Sequence, residues 1–346
     1  MQGIDIVPFE KKYLSRFQDY IHAALHKKHI LADERFLDWQ YTDPGMLYLA
    51  LHNDKIVGHF GYRDFLYKVR EQSRLVRVAM NLFSLEEYHG AGVGPLLAKE
   101  VFNTTHAVLL SGYNEAAFRL CAHLRSTLRE AGSMDRFVAV LDAAHPFLKN
   151  FAVPRSFPGP HGQEGEIAVH DIAKFDTAFQ DSLRAFWERV RHRYPATIER
   201  TSAYLLWRFF SHPHLHYSFL AATEGEKLVG YLIYRSEEAE GFSIARIVDF
   251  IADPLAERAL LQYFLDLVRK NHAAADFMFS GSLYREALKD AGFFDAIGTD
   301  FENFPTRFNP VSSNAPFIHV AYDIDLPLHD FYVTKADSDQ DRPNPH

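Results

Sequence analysis

The sequence predicts an α+β protein in which one fold occurs twice along the chain. Three observations lead to this prediction. Over the first half, strand-like and helical patterns follow each other in the order β-α-(α)-β-β-β-α-β-α-β, which is typical of a mixed α+β layer rather than of a doubly wound sheet or a barrel. A set of residues from the first half recurs in the second half, and a segment rich in proline and glycine separates the two.

The spacing of apolar residues places each element of the first half. Alternating or continuous apolar runs predict strands at residues 4–9, 47–52, 56–62, 75–83, 107–112 and 136–141. Apolar residues three and four positions apart predict helices at residues 13–26, 94–104 and 114–130. We therefore expect a sheet covered by helices in this half.

The internal repeat rests on features that keep their order. Trp39 matches Trp207, and Lys55-Ile-Val-Gly58 matches Lys227-Leu-Val-Gly230. In both copies a proline and a strand lie between these features, and an arginine follows five residues after the glycine. The offset is 168 residues at the tryptophan and 172 at the glycine. We expect the halves to share a fold and the two tryptophans to be structural rather than catalytic.

The repeat and the local composition divide the chain. Residues 1–141 are predicted to form the first domain and residues 166–333 the second. Residues 142–165 carry four prolines and three glycines, a density that cannot continue a helix or a central strand, and they are predicted to be the linker. Residues 334–346 are polar, contain two prolines and are predicted to be a disordered tail.

Composition excludes several classes of protein. Lys and Arg total 37 against 45 Asp and Glu, so the net charge is −8, and 47% of the residues are hydrophobic. These numbers exclude a disordered chain and argue against a nucleic-acid partner bound through a basic face. The single cysteine excludes a disulfide framework. With no secretory pattern and no apolar run near the roughly 18 residues of a membrane span, we expect a cytoplasmic protein without a membrane partner.

A glycine-rich turn is the strongest local motif. Gly90, Gly92 and Gly94 alternate between a predicted strand and a predicted helix. Glycines let backbone N–H groups converge, and the helix start adds its own N–H groups, so the turn suits a phosphate or pyrophosphate. A dinucleotide fingerprint fails because Pro95 occupies the position of its third glycine, and the ATP-binding G-x-x-x-x-G-K-[ST] is absent.

The motif resembles that of the GCN5-related N-acetyltransferase (GNAT) superfamily, in which an acyl-CoA loop [Arg/Gln]-x-x-Gly-x-[Gly/Ala] follows the fourth strand. Residues 89–94 match both glycines, with His89 in the first position. Asn114-Glu-Ala-Ala-Phe-Arg-Leu-Cys121 is similar to the family helix Asn-x-x-Ala-x-x-x-Tyr. The resemblance covers residues 1–141 and implies two tandem GNAT-like domains, each a mixed, mostly antiparallel twisted sheet flanked by helices. The second would be degenerate, because its segment 249–258 has no glycine.

The resemblance also implies roles for individual residues. Backbone amides of the loop would hold the pyrophosphate of acetyl-CoA or another acyl-CoA, strand backbone would pair with the pantetheine arm, and the residue at the end of the fifth strand would meet CoA. The residues expected to bind this co-substrate are Leu82, Phe83, Ser84, His89, Gly90, Ala91, Gly92, Val93, Gly94 and Asn114.

Proton transfer is where this chain departs from the family. The usual carboxylate falls near Asn81, which is not a base, and the usual tyrosine falls on Cys121. Cys121 is a candidate acid or a small core residue, and Tyr113 is an alternative acid. His59, on the third strand, is a candidate base or acceptor contact, or a sheet histidine with a structural role. No metal is expected, because the histidine clusters lack a further ligand.

The predicted function is transfer of an acyl group, first of all acetyl, from CoA to a primary amine of a small molecule in a ternary complex. By analogy with similar tandem proteins, the first acceptor to expect is an amino-sugar nucleotide of surface glycan biosynthesis. One alternative is an amino-acid or peptide acyl or aminoacyl transferase, although the acidic charge balance argues against a tRNA donor. Another is a non-catalytic CoA-binding sensor or scaffold. The protein is expected to be a monomer or homodimer.

Overall fold

The computed structural model describes residues 3–25, 27–154, 167–239, 241–304, 306–308, 311–312 and 317–342. These residues form two mixed sheets flanked by helices, which confirms the predicted α+β class. Predicted linker residues 155–165 and tail residues 343–346 lie outside the described ranges. Within those ranges, each helix is too short or too polar to cross a membrane.

The first sheet is built mainly from the first half of the chain. In spatial order its strands are β1 (Ile4–Pro8), β2 (Gly45–His52), β3 (Lys55–Val69), β4 (Gln72–Ser84), β5 (Ala107–Ser111), β17 (His319–Tyr322) and β6 (Arg129–Ser133), with β9 (Ala196–Ile198) beside β3. Its helices are α1 (Leu14–Ala24), α2 (Glu34–Tyr41), α3 (Val93–Phe102) and α4 (Glu115–Leu124). Helices α1 and α2 share one core with the sheet, and α3 and α4 share another on the opposite face.

The second sheet repeats this order. Its strands are β8 (Ile167–Asp171), β10 (Ser218–Glu224), β11 (Lys227–Ala239), β12 (Phe242–Ala252), β13 (Ala274–Phe279), β7 (Asp135–Val140) and β14 (Phe294–Asp295). Its helices are α5 (Thr177–Val190), α6 (Ser202–Leu205), α7 (Pro254–Val268) and α8 (Arg285–Ala291), and β15 (Arg307–Phe308) pairs with β16 (Val311–Ser312) apart from both sheets. The pairs β4–β5 and β12–β13 are parallel and occupy the same place in their sheets.

The two sheets exchange one strand each. Strand β7 follows β6 in the chain but pairs with β13 of the second sheet, whereas β17 comes from near the C-terminus and lies between β5 and β6. Only Met134 separates β6 from β7, and a hairpin needs a connection of about two residues. Strand β7 therefore continues into the other sheet. Sheet membership differs in this respect from the predicted division at residue 141.

The repeated glycines mark the sites where a helix packs on sheet backbone. A Cβ added to Gly58 would lie 2.7 Å from Cγ1 of Val93 and 3.2 Å from Cδ1 of Leu97, both in α3. A Cβ added to Gly230 would lie 2.9 Å from Cδ1 of Leu260 in α7. Each glycine thus allows the helix after the fourth strand of its half to approach closely, which explains why both copies of the repeat carry it.

The repeated tryptophans pack against each other. The rings of Trp39 and Trp207 stack with centroids 4.6 Å apart and an interplanar angle of 9°. Nε1 of Trp39 donates to the backbone oxygen of Trp207 at 2.9 Å, and Nε1 of Trp207 donates to that of Trp39 at 3.1 Å. The contact is reciprocal and joins the two halves of the chain, in line with the structural role predicted for these residues.

The predicted helix at residues 114–130 is too long. Helix α4 ends at Leu124, and residues 129–133 form β6. The partner of β6 is β17, almost 190 residues later in the chain. Because a strand is stabilised by its neighbours, a pairing with so distant a segment leaves no trace in the local spacing of apolar residues.

The predicted disordered tail is wrong for residues 334–342, which are packed and mostly buried. We refer to residues 331–342 as the C-terminal strap. Arg200 binds Asp337 at 2.9 Å, and Arg235 binds Asp341 at 2.7 Å. Although burial alone would raise it, the pKa of Asp341 is held well below its usual value by Arg235, with smaller contributions from Arg208 and Lys335. Buried apolar residues hold the start of the strap, and ion pairs with distant arginines hold its polar end.

Candidate active site

A gap opens in the first sheet between β4 and β5. The two strands pair from Val76 to Ala79 and from Ala107 to Leu110, and then separate. At the same point β4 bulges, because Asn81 and Leu82 both lie opposite one residue of β3. Asn81 has a φ of 61°, a left-handed conformation that asparagine tolerates better than most residues. Bulges of this kind are frequent beside active sites because they redirect backbone and side chains.

A cavity of about 770 Å³ lies at this gap. It is within the range of small-molecule sites. Its walls come from β4, the end of β5, the start of α4 and the C-terminal strap. The cavity brings together six of the residues predicted from the sequence, namely His59, Leu82, Phe83, Tyr113, Asn114 and Cys121. Of the remaining predicted residues, Ser84 ends β4, His89, Gly90, Ala91 and Gly92 form the turn after it, and Val93 and Gly94 begin α3.

The turn after β4 has the conformation expected of a glycine-rich loop. Gly90 and Gly92 have φ values of 82° and 85°, and Gly92 is the N-cap of α3. A Cβ at either glycine would have no atom within 4 Å, so the space above the turn is open. The first N–H groups of any helix lack intrahelical partners; in α3 these belong to Val93 and Gly94, since Pro95 has no N–H. His89 is exposed, and its Nε2 lies 3.3 Å from the backbone oxygen of Ser84.

His59 is buried in an aromatic cluster. Its Nδ1 lies 3.1 Å from the hydroxyl of Tyr20, and its ring contacts Phe17 edge-on and Phe83 face-on. Loss of solvation, with a smaller contribution from Arg342, lowers the pKa of His59 to about 3. The imidazole is therefore neutral at pH 7 and is a weak proton acceptor.

The two candidate acids are also perturbed. Cys121 is buried, and loss of solvation raises the pKa of its thiol to about 12. The hydroxyl of Tyr113 donates to Glu130 at 3.3 Å. Burial, and secondarily the charge of Glu130, raise the pKa of Tyr113 above its usual value. Both groups hold their protons more tightly than they would in water.

Sequence reasoning missed the contribution of the strap to this cavity. Arg342 donates to Oδ1 of Asn81 and lies 3.2 Å from Asp339, and Gln340 donates to the backbone oxygen of Ser111 at 3.2 Å. The strap thus contacts both β4 and β5 across the gap. On its other side, Asn81 donates to the hydroxyl of Tyr41 at 2.9 Å. No pattern in the polar residues 334–346 marks them as part of a site.

The corresponding gap in the second half is filled by the chain itself. The hydroxyl of Tyr332 donates to the backbone oxygen of Phe250 in β12 at 2.6 Å, and the N–H of Ser280 after β13 donates to that of Val333 at 2.8 Å. In the register of the sheets Asp249 corresponds to Asn81, because Ser84 pairs with Gly58 and Ala252 pairs with Gly230. Asp249 is fully buried and is bound by both Nε and Nη2 of Arg200 at 3.0 and 3.1 Å.

Where the first half has its glycine turn, the described residues of the second half connect β12 to α7 without one. Asp253 alone separates β12 from α7, and the helix begins at Pro254, which has no N–H to donate. This agrees with the expectation that the second copy is degenerate.

Comparison with known proteins by sequence gave no match to a protein family and no match to a curated protein. Solved structures do match. A probable N-acyltransferase from Enterococcus faecalis has a TM-score of 0.61 and 13% identity, covering 92% of this chain and 72% of that one. A GCN5-related N-acetyltransferase from Anabaena variabilis has a TM-score of 0.61 and 12% identity over the same shares.

A third structure extends the likeness along the chain. Saccharomyces cerevisiae N-myristoyltransferase with bound myristoyl-CoA has a TM-score of 0.55 and 11% identity, covering 95% of this chain and 84% of that one. At such low identity the likeness concerns the fold. It spans both halves of the chain, as the repeat predicts. The protein therefore has the GCN5-related N-acetyltransferase fold.

Proposed function

We propose that this protein is an acyl-CoA-dependent N-acyltransferase that acts on a primary amine of a small molecule in the first-half cavity. One observation carries the proposal: the cavity lies where β4 and β5 diverge, and β4 leads directly into an open glycine turn at the start of α3. The glycine turn thus suits a pyrophosphate, and the cavity suits a reacting thioester. Acetyl is the first acyl group to test.

The donor would bind along the end of β4. Beyond Ala79, β4 has no pairing with β5, so backbone groups of Leu82, Phe83 and Ser84 are placed to bond an extended amide chain such as the pantetheine arm. The N–H groups of Gly92, Val93 and Gly94 would hold the pyrophosphate at the positive end of α3. Ala91 would contribute shape only, because its N–H already bonds the oxygen of Tyr88.

The reaction needs a neutral amine. Its nitrogen attacks the thioester carbonyl carbon, the C–S bond breaks, and the proton lost by nitrogen ends on the CoA sulfur, so amine and thioester give amide and thiol. Because the pKa of His59 is about 3, we assign it an acceptor contact rather than a base. Tyr113 and Cys121 are poor acids by the same reasoning. The start of α4, capped by Asn114, would favour the leaving thiolate through its dipole.

The first test is donor binding. We expect acetyl-CoA to raise the melting temperature of the wild-type protein and Gly92→Asp to abolish the shift, since a carboxylate there would repel the pyrophosphate. Gly225→Asp is the matched control, because Gly225 also has a positive φ, 59°, and open space at its Cβ, but lies in the turn between β10 and β11. Absence of a shift with every acyl-CoA tried would refute the proposal.

The second test separates an enzyme from a CoA-binding sensor. The sensor is favoured by Asn81, which stands in place of a carboxylate base, and by the two weak acids. CoA release is measured with a panel of amines that includes amino-sugar nucleotides, amino acids and peptides. Release with any amine identifies an enzyme, whereas tight acetyl-CoA binding without release from any of them identifies a sensor.

A further inference from the structure

We infer that the acceptor is an amino acid, whose carboxylate is bound by Arg342 and whose amine is bound by Asp339 of the C-terminal strap. This inference rests on the proposed function and names the acceptor class of the same site. Both residues line the cavity, and their side chains lie 3.2 Å apart. A zwitterion presents the same two charges at short range.

Arg342 has donors available for a ligand. Both of its hydrogen bonds, to Asn81 and to Asp339, use Nη1. Among the described residues, Nε and Nη2 have no hydrogen-bond partner, and Nε is buried. The Nε–Nη2 edge of a guanidinium matches the two oxygens of a carboxylate. An acceptor carboxylate on this edge would supply the partner that Nε lacks.

Asp339 is held in position but can accept further hydrogen bonds. It is buried, its Oδ1 accepts from Gln340 at 3.1 Å, and its Oδ2 contacts Arg342. An ionised carboxylate can accept about four hydrogen bonds. An ammonium or amine of the acceptor can therefore bind beside Arg342 without displacing either partner.

The charge of the cavity disfavours a diphosphate. Among the lining residues that the structure describes, Arg342 is the one arginine or lysine, whereas Asp339 and Glu115 are acidic. A nucleotide diphosphate carries at least two negative charges and would meet one cation beside a carboxylate. A single carboxylate accompanied by an amine is matched in both charge and number.

The position of Arg342 limits the distance between the two groups of the acceptor. Arg342 donates directly to Asn81, and Asn81 lies in the bulge at the point where the strands diverge. A carboxylate on Arg342 is therefore one side-chain contact from the reaction centre. The amine that reacts there must be only a few bonds away, as in an α-amino acid.

The test compares amino acids with their carboxamides, in which a neutral group of similar size and shape replaces the carboxylate and one acceptor oxygen becomes an NH2 donor. Binding of each to the protein saturated with CoA is measured by calorimetry, and acylation by CoA release from acetyl-CoA. We expect the wild-type protein to bind at least one amino acid tenfold or more tightly than its amide. Arg342→Gln should weaken binding of the amino acid at least tenfold and leave that of the amide unchanged. Arg342→Lys, which keeps the charge and loses the planar fork, should give an intermediate loss.

Controls keep the inference separate from the proposed function. Asp339→Asn should weaken amino acid and amide alike, because both carry the amine, and Arg70→Gln, at an exposed arginine of the β3–β4 turn, should change neither. Equal binding of amino acid and amide, equal loss of both in Arg342→Gln, or preference for an amino-sugar nucleotide would overturn the inference. Binding of amino acids without any acylation would instead count against the proposed function alone.

Discussion

The contact between Trp39 and Trp207 offers a test of how the two halves are joined. We consider truncation of each residue to alanine, alone and together. Each substitution removes one indole N–H bond and the ring stack. Because both N–H groups donate to backbone oxygens, each hydrogen bond survives truncation of the other tryptophan. The ring stack is therefore the interaction that both single substitutions remove.

The magnitudes follow from this division. Truncation of a large aromatic side chain costs about 3–5 kcal/mol when it is fully buried, and since both tryptophans are partly exposed we expect about 3 kcal/mol each. Trp207→Ala should cost slightly more than Trp39→Ala, because the guanidinium of Arg63 lies 4.2 Å from the centroid of the Trp207 ring, whereas that of Arg208 lies 5.7 Å from the centroid of the Trp39 ring. The double variant should lose about 1 kcal/mol less than the sum of the singles, the usual value of an aromatic stack.

Urea unfolding of the wild type, the two single variants and the double variant measures these differences. Unfolding is monitored by the circular dichroism of the backbone, a signal that does not depend on the tryptophans removed. A control cycle combines Trp39→Ala with Phe179→Ala, since Phe179 packs on Phe175 and Phe219 and should be additive. Additive losses for the tryptophan pair would show that the stack contributes nothing between the halves. A coupling of several kcal/mol would show that one truncation disrupts the whole contact, which also contradicts the reasoning.

Three further predictions concern other parts of the molecule. Gly58→Ala should lower the free energy of unfolding by about 1–3 kcal/mol, because its Cβ would lie 2.7 Å from α3, which urea denaturation measures against the wild type. His212, whose pKa is lowered to about 3 mainly by burial, must stay neutral in the folded state. This group should therefore contribute a loss of stability of ~2 kcal/mol as the pH drops through 6.5 to 5. His59 should contribute a similar loss, and His212→Gln should remove only the part due to His212. Gly112→Ala should weaken amine binding without affecting acetyl-CoA binding, because its Cβ would overlap the side chain of Gln340 in the strap. Calorimetry measures the affinity for each ligand, and a change in neither affinity or in both would contradict this prediction.

The sequence predicted those parts of the fold that depend on local spacing and on the repeat. The strands and helices around the glycine turn follow from apolar periodicity, and the stacked tryptophans and the glycines under α3 and α7 explain the matched residues. The exchange of β7 and β17 could not be predicted this way, because their partners lie in the other half of the chain. The end of α4 was misplaced for the same reason.

At the candidate site, the sequence predicted the glycine turn and its place between β4 and α3. Gly90 and Gly92 adopt the left-handed conformation that a phosphate-binding turn needs. The predictions for His59 and Cys121 placed both at the cavity, but their burial, which shifts both pKa values away from neutrality, depends on packing that no motif records. Arg342 was missed altogether, because its neighbours in the sequence are polar and the arginines and tyrosines that bind them lie far away in the chain.

The closed gap of the second half explains how the strap reaches the first half. Residues 331–337 fill the gap between β12 and β13, and Arg200 links Asp337 to Asp249 at its base. Asp339 follows Asp337 by only two residues, so the anchoring of the strap in the degenerate half fixes where its end enters the cavity of the other. The second half thus anchors the strap and positions Asp339 and Arg342 in the cavity of the first half. Under the proposed function, the two halves are unequal for a physical reason: the first gap would stay open for the donor, and the second would be closed by the segment that selects the acceptor.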